Sequence, residues 1–100
     1  MKMTKVKVVR IYVMESSHLL ESIVDYAHNV AKLRGVSVFR AISGFGESGE
    51  KTAFFMALSM DLPLCIEFFD IPSNIETALN HLSTLIKPKH MIVWEAEVIE

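Results

Sequence analysis

The chain has 100 residues, of which 51% are hydrophobic, and a net charge of −2 with histidine neutral. That length fits one compact domain, residues 1–100, and leaves no room for a second. The charges are scattered: no Lys/Arg run marks a nucleic-acid footprint and no apolar stretch approaches the ~20 residues of a membrane span, so neither nucleic acid nor membrane insertion is expected.

The basic start, Met1-Lys2-Met3-Thr4-Lys5, runs into a charged strand rather than the apolar core of a signal peptide, which points to the cytoplasm. A domain of this size buries only roughly two-thirds of its unfolded-chain surface, so self-association would help it. Cys65 is the sole cysteine, which excludes an intrachain disulfide and a cysteine-rich metal site; between Leu64 and Ile66 it reads as an inert packed thiol.

Lys5 to Val13 alternates and is rich in β-branched residues, the pattern of a strand. Val9, Ile11 and Val13 share one face, while Val6, Val8, Arg10, Tyr12 and Met14 share the other. Ser16 and Ser17 offer a helix N-cap, and Leu20, Ile23, Val24, Ala27, Val30 and Ala31 recur as one helical stripe. Gly35 supplies the stop, through the left-handed conformation open to glycine.

Val36 to Ile42 is the second strand, followed by a glycine-rich polar loop from Ser43 to Thr52. Ala53 to Met60 is apolar and fits a strand, a helical turn or a packed flap. Leu62 to Asp70 is the third strand, with Leu62, Leu64, Ile66 and Phe68 on one face. Ser73 and Glu76 have capping-box spacing ahead of a stripe made by Ile75, Ala78, Leu79, Leu82, Leu85 and Ile86, which Pro88 stops. Met91 to Val98 is the last strand.

The order β-α-β-β-α-β is that of an α+β, ferredoxin-like sandwich: a four-stranded antiparallel sheet with two helices on one face. The opposite face collects Arg10, Tyr12, Cys65 and Glu67, with Glu95 as a further candidate. That mixture is too apolar for bare solvent and too charged for a monomer core, and a subunit interface would satisfy it.

The segment with most chemical content is Arg40-Ala41-Ile42-Ser43-Gly44-Phe45-Gly46-Glu47-Ser48-Gly49-Glu50-Lys51. Three glycines in six residues free backbone N–H groups to converge on an anion, Ser48 adds a hydroxyl, and Arg40 or Lys51 adds positive charge. The same residues fit a plain hairpin connection. Gly44-x-Gly46-x-x-Gly49 has the dinucleotide-fingerprint spacing, but no helix pattern follows to aim a dipole at the phosphate, so that reading is rejected. Lys87, Lys89 and His90 form a small basic cluster before the last strand, of the kind common at solvated helix ends and within reach of a phosphate. His18 and His28 on the first helix, His81 on the second and His90 beyond it have no shared metal-ligand spacing. Neither a nucleophile–base pair nor a Gly-x-Ser-x-Gly setting is visible, so no enzyme and no catalytic residue is expected.

Val9-Arg10-Ile11-Tyr12-Val13 followed by Glu15, the helix Leu20-x-x-Ile23-Val24-x-x-Ala27, the loop Val38-Phe39-Arg40 with Gly44-Phe45-Gly46-x-x-Gly49, and Ser59-x-Asp61-Leu62-Pro63-Leu64-x-Ile66-Glu67 together resemble the PII-like signalling proteins catalogued as a domain of unknown function. The resemblance runs in one order over most of the chain. It implies a homotrimer with a phosphate-bearing ligand, an adenine nucleotide (AMP, ADP or ATP), in clefts between subunits, and no required cofactor. The central loop would signal ligand state to a target protein or transporter. The ligand-binding residues this implies are Arg40, Gly44, Phe45, Gly46, Ser48, Gly49, Lys51 and Lys89. The chain departs from the pattern at Ala41, where glycine is usual, and at Glu50-Lys51; Lys87-Pro88-Lys89 only loosely replaces the Gly-Asp-Gly-Lys loop of true PII proteins. Two alternatives share the topology: a trimeric metal-binding protein of the CutA kind, and an acylphosphatase-like hydrolase. Against the second, Met14-Glu15-Ser16-Ser17 is acidic and lacks glycine where that enzyme needs a phosphate cradle.

Overall fold

The computed structural model describes residues 1–42 and 61–100. Strand β1 spans Met3–Met14 and a 3-10 turn follows at Glu15–Ser17. Helix α1 spans Leu20–Asp25 and continues as a π-turn, Tyr26–Val30. Strand β2 is Val36–Arg40, β3 is Pro63–Asp70, helix α2 is Pro72–Leu82, and β4 is Met91–Ile99 after a 3-10 turn at Pro88–His90. The four strands form one antiparallel sheet in the order β2-β3-β1-β4. This is the expected ferredoxin-like arrangement. The glycine-rich loop and the Ala53–Met60 segment lie outside the described residues.

Cross-strand register decides which side chains share a face, because directly opposed residues point the same way. Val9 opposes Phe68, Ile11 opposes Ile66 and Val13 opposes Leu64. These six are at most 6% exposed and pack against Ile23 and Tyr26 from the first helix and Ile75, Ala78 and Leu82 from the second. Glu95 opposes Lys7, which itself reaches Glu76 of α2 at 3.4 Å. Glu95 therefore belongs to the helix-side face and not, as the alternation suggested, with Arg10.

The first helix departs from a regular α-helical stripe. Ala31 N–H donates to the Tyr26 carbonyl at 2.9 Å, a bond to the fifth residue back. The wider turn accommodates an extra residue and rotates the face beyond it. Tyr26, three residues after Ile23, lies in the core, while Val30, expected on the stripe, is turned out and 67% exposed. The Tyr26 ring stacks on His81 of α2, centroids 4.0 Å apart, and so joins the two helices.

Several local signals act differently from expectation. The N-cap of α1 is Leu19, which makes no side-chain cap; Ser17 Oγ accepts from Leu19 N–H at 3.3 Å and donates to the Met14 carbonyl at 2.7 Å, serving the preceding turn instead. His18 precedes α1 in the left-handed region, with φ 59°. After the π-turn the left-handed residue is Lys32, with φ 50°, so the chain turns there and Gly35 is not the stop. Ser73 does not cap α2. Its N-cap is Ile71, with Pro72 in the first turn, where a missing N–H costs nothing. The acceptor at this end is Asp70, 5% exposed, which takes bonds from Ile71 N–H at 2.7 Å, Asn74 Nδ2 at 3.2 Å and Arg34 N–H at 3.2 Å. Helix α2 stops at Leu82, well before Pro88, where the Ser83 and Thr84 hydroxyls bond the Asn80 and His81 carbonyls.

Removing the Asp70 carboxylate takes a shared, buried acceptor away from three part-buried hydrogen bonds. Asp70→Ala is expected to lower unfolding free energy by roughly 1–3 kcal/mol, the scale of hydrogen bonds to a charged group, and Asp70→Asn by less, in urea titrations. Phe68→Ala, at the centre of the core, is expected to cost about 3–5 kcal/mol in the same assay.

Candidate functional site

Of the residues read as ligand-binding, Arg40 and Lys89 fall among the described residues; Gly44, Phe45, Gly46, Ser48, Gly49 and Lys51 lie outside them. Arg40 closes β2 and opposes Leu64, which opposes Val13 on β1. Lys89 sits in the turn immediately before Met91, which opposes Ile11. Both therefore stand at the same end of the sheet, but on opposite edges, with β3 and β1 between them. Three strand spacings amount to about 14 Å. Within one chain they do not meet.

Arg40 is held from below. Its Nε donates to Glu15 Oε1 at 2.7 Å, and the same oxygen accepts Leu62 N–H at 3.3 Å. Glu15 N–H donates to the Leu62 carbonyl at 3.2 Å, and Ser16 N–H to Asp61 Oδ1 at 3.1 Å. Ala41 N–H donates to the Pro63 carbonyl at 2.9 Å. The two ends of chain that flank residues 43–60 are thus tied to one carboxylate just past β1. Glu15 carries no periodicity signal, and only its place in the opening run of the resemblance singled it out.

The second feature is the sheet face away from the helices. At its centre the Arg10 guanidinium donates to Glu67 Oε1 at 2.6 Å and lies 5.5 Å from the Trp94 ring centroid. Hydrogen bonding to the Glu67 carboxylate, and secondarily to Tyr12, raises the Arg10 pKa above its ordinary value. Around this pair stand Tyr12, Phe39, Phe69, Ile92 and Trp94, each between 37% and 54% exposed. Cys65 shares the face, opposite Tyr12 and Phe39, and is half-buried rather than packed inside. Phe39, Phe69, Ile92 and Trp94 were legible by parity once Arg10 and Glu67 are placed in register, but parity alone does not assign register. Five large apolar side chains around an ion pair make a contiguous patch of the kind that marks an interaction surface.

Residues 6–98 match the protein family DUF190, described as "Uncharacterized ACR, COG1993". The "UPF0166 protein MJ1524" of Methanocaldococcus jannaschii is 33% identical over 96 residues, covering 91% of this chain and 88% of that protein. Among solved structures, CPII from Thiomonas intermedia K12 bound to ADP and bicarbonate superposes with a TM-score of 0.73 at 17% identity, covering 97% of this chain and 91% of that one. A second structure of the same nitrogen regulatory PII-like protein, bound to ADP, AMP and bicarbonate, gives 0.72 at 17% identity over 99% and 98% of the two chains. At that identity the likeness establishes the fold.

The ion pair at the centre of the open face gives a direct test. Arg10→Met strips Glu67 of its partner, whereas Arg10→Met combined with Glu67→Leu removes both charges. The single variant is expected to melt below the wild type and the double variant to recover most of the loss, in thermal unfolding followed by circular dichroism.

Proposed function

This chain belongs to the DUF190 family, and on that premise we propose that it is a PII-like sensor: a homotrimer that binds an adenine nucleotide between subunits and reports its presence to a target protein or transporter. The observation that carries the reading is the open sheet face. Among the described residues nothing lies over its apolar ring and its ion pair, because the two helices are both on the other side. Three copies packed face-inward cover both.

A ring of three also explains the separation of Arg40 from Lys89. Contacts around a three-fold axis are heterologous, so one edge of a subunit meets a different edge of the next. The β2 edge, with Arg40, then approaches a neighbour's β4 edge, with Lys89, and the two cations converge on one cleft. Two cations from two chains suit a ligand with two or more phosphates. From their sequence alone, Gly44, Phe45, Gly46, Ser48, Gly49 and Lys51 are assigned to the same ligand, since a glycine-rich run with a hydroxyl and a cation suits an anion. The CPII structures bound to ADP, and to ADP with AMP, support this class of ligand. The protein acts by binding and performs no chemistry on the nucleotide.

Light scattering at micromolar protein is expected to give three times the 11.3 kDa chain mass. A clean monomer would remove both the trimer and the shared cleft. Calorimetric titration with AMP, ADP and ATP is expected to show saturable binding. Arg40→Ala or Lys89→Ala should weaken the preferred nucleotide about tenfold or more, the value of a charged hydrogen bond. Incubation with ATP, ADP or an acyl phosphate should release phosphate no faster than a buffer blank.

A further inference from the structure

The carboxylate of Glu15 is paired with Arg40, one of the cations assigned above to the proposed ligand. A guanidinium presents its donors as a planar fork, and its strongest pairing with an oxyanion is bidentate. In Arg40 the Nε–H side of that fork is already taken by Glu15 Oε1 at 2.7 Å. The Glu15 side chain is 33% exposed and the Arg40 side chain 44%, so neither is locked in the core. Glu15 also has a second use for the same oxygen, the Leu62 N–H at 3.3 Å, which persists if Arg40 leaves. The pair is therefore separable at modest cost.

We propose that Glu15 is an internal competitor for Arg40: a built-in anion that occupies the guanidinium in the empty protein and is displaced by the phosphate of the incoming nucleotide. This rests on the nucleotide-sensor reading and adds its regulation. The negative charge of Glu15 opposes the ligand twice, by holding the cation and by repelling the phosphate. It sets the affinity below what Arg40 alone would give. Exchange of partners at Arg40 also changes the load on the one carboxylate that ties Arg40 to Leu62, so ligand state is felt at both ends of the chain flanking residues 43–60.

The test is calorimetric titration of ATP and ADP into the wild type, Glu15→Gln, Arg40→Gln and the double variant. Glutamine keeps an acceptor for Leu62 N–H and removes only the charge. Glu15→Gln is expected to bind about two- to fivefold tighter than the wild type, the range for a part-exposed ion pair. The gain should shrink as salt rises and vanish in the Arg40→Gln background. Binding to Glu15→Gln that is equal to or weaker than wild-type binding overturns the competitor role and leaves the nucleotide-sensor reading standing. No binding heat in either protein removes the sensor reading and the competitor with it. A second measurement needs no Glu15 variant: the Arg40 Nε–H resonance of the wild type, assigned by its loss in Arg40→Gln, should move on nucleotide addition. An unmoved resonance under saturating nucleotide overturns the proposal.

Discussion

Strand β1 is hydrogen-bonded along both edges, to β3 and β4, and carries apolar side chains on both of its faces. One face is answered within the chain: Val9, Ile11 and Val13 lie under the two helices with Phe68, Ile66 and Leu64 beside them. The other carries Arg10 and Tyr12, and no element of the same chain among the described residues lies over it. Among the described residues the helices lie on one side only, so the second face is left open to a further molecule. The proposed assembly, the cleft it creates and the competition within that cleft all descend from this arrangement of one central strand.

Arg10 and Glu67 show how that face tolerates charge. They oppose one another across β1 and β3, close enough for a 2.6 Å hydrogen bond, and Trp94 lends the guanidinium an aromatic surface. Paired in this way the charges can be covered; either alone could not be without a large desolvation cost. The pair also fixes relative placement, since a directional ionic contact is satisfied in fewer arrangements than an apolar one.

Two carboxylates organise the ends of the fold by a common means. Asp70 gathers Ile71 N–H, Asn74 Nδ2 and Arg34 N–H, joining the end of β3 to the start of α2 and to the approach to β2. Glu15 gathers Arg40 and Leu62, joining the ends of β1, β2 and the segment before β3. Each accepts from groups far apart in sequence. The first makes a buried, structural junction; the second is part-exposed and ends on a cation, the feature on which its proposed regulatory role rests.

Strand and helix order, the two-faced character of β1 and the burial of Leu62, Leu64, Ile66 and Phe68 were all written in side-chain periodicity, because burial of apolar groups follows the pitch of the backbone that carries them. The PII-like resemblance was legible too, through a run of residues in one order, and it located Arg40 and Lys89 as candidates. Tertiary structure alone decided the rest. Glu95 changed faces because strand register depends on pairing partners and not on local alternation. Ser73 lost its cap because α2 starts earlier, at Pro72 with Ile71 as N-cap beside the Asp70 carboxylate, and Gly35 lost its turn to Lys32, just past the π-turn. Glu15 acquired its place at Arg40 and Leu62 from contacts 25 and 47 residues away, which no local pattern encodes. Periodicity reports what a residue's neighbours in sequence require of it; a hydrogen-bonded carboxylate reports which distant groups the fold brings within hydrogen-bonding reach, and only the folded chain specifies that.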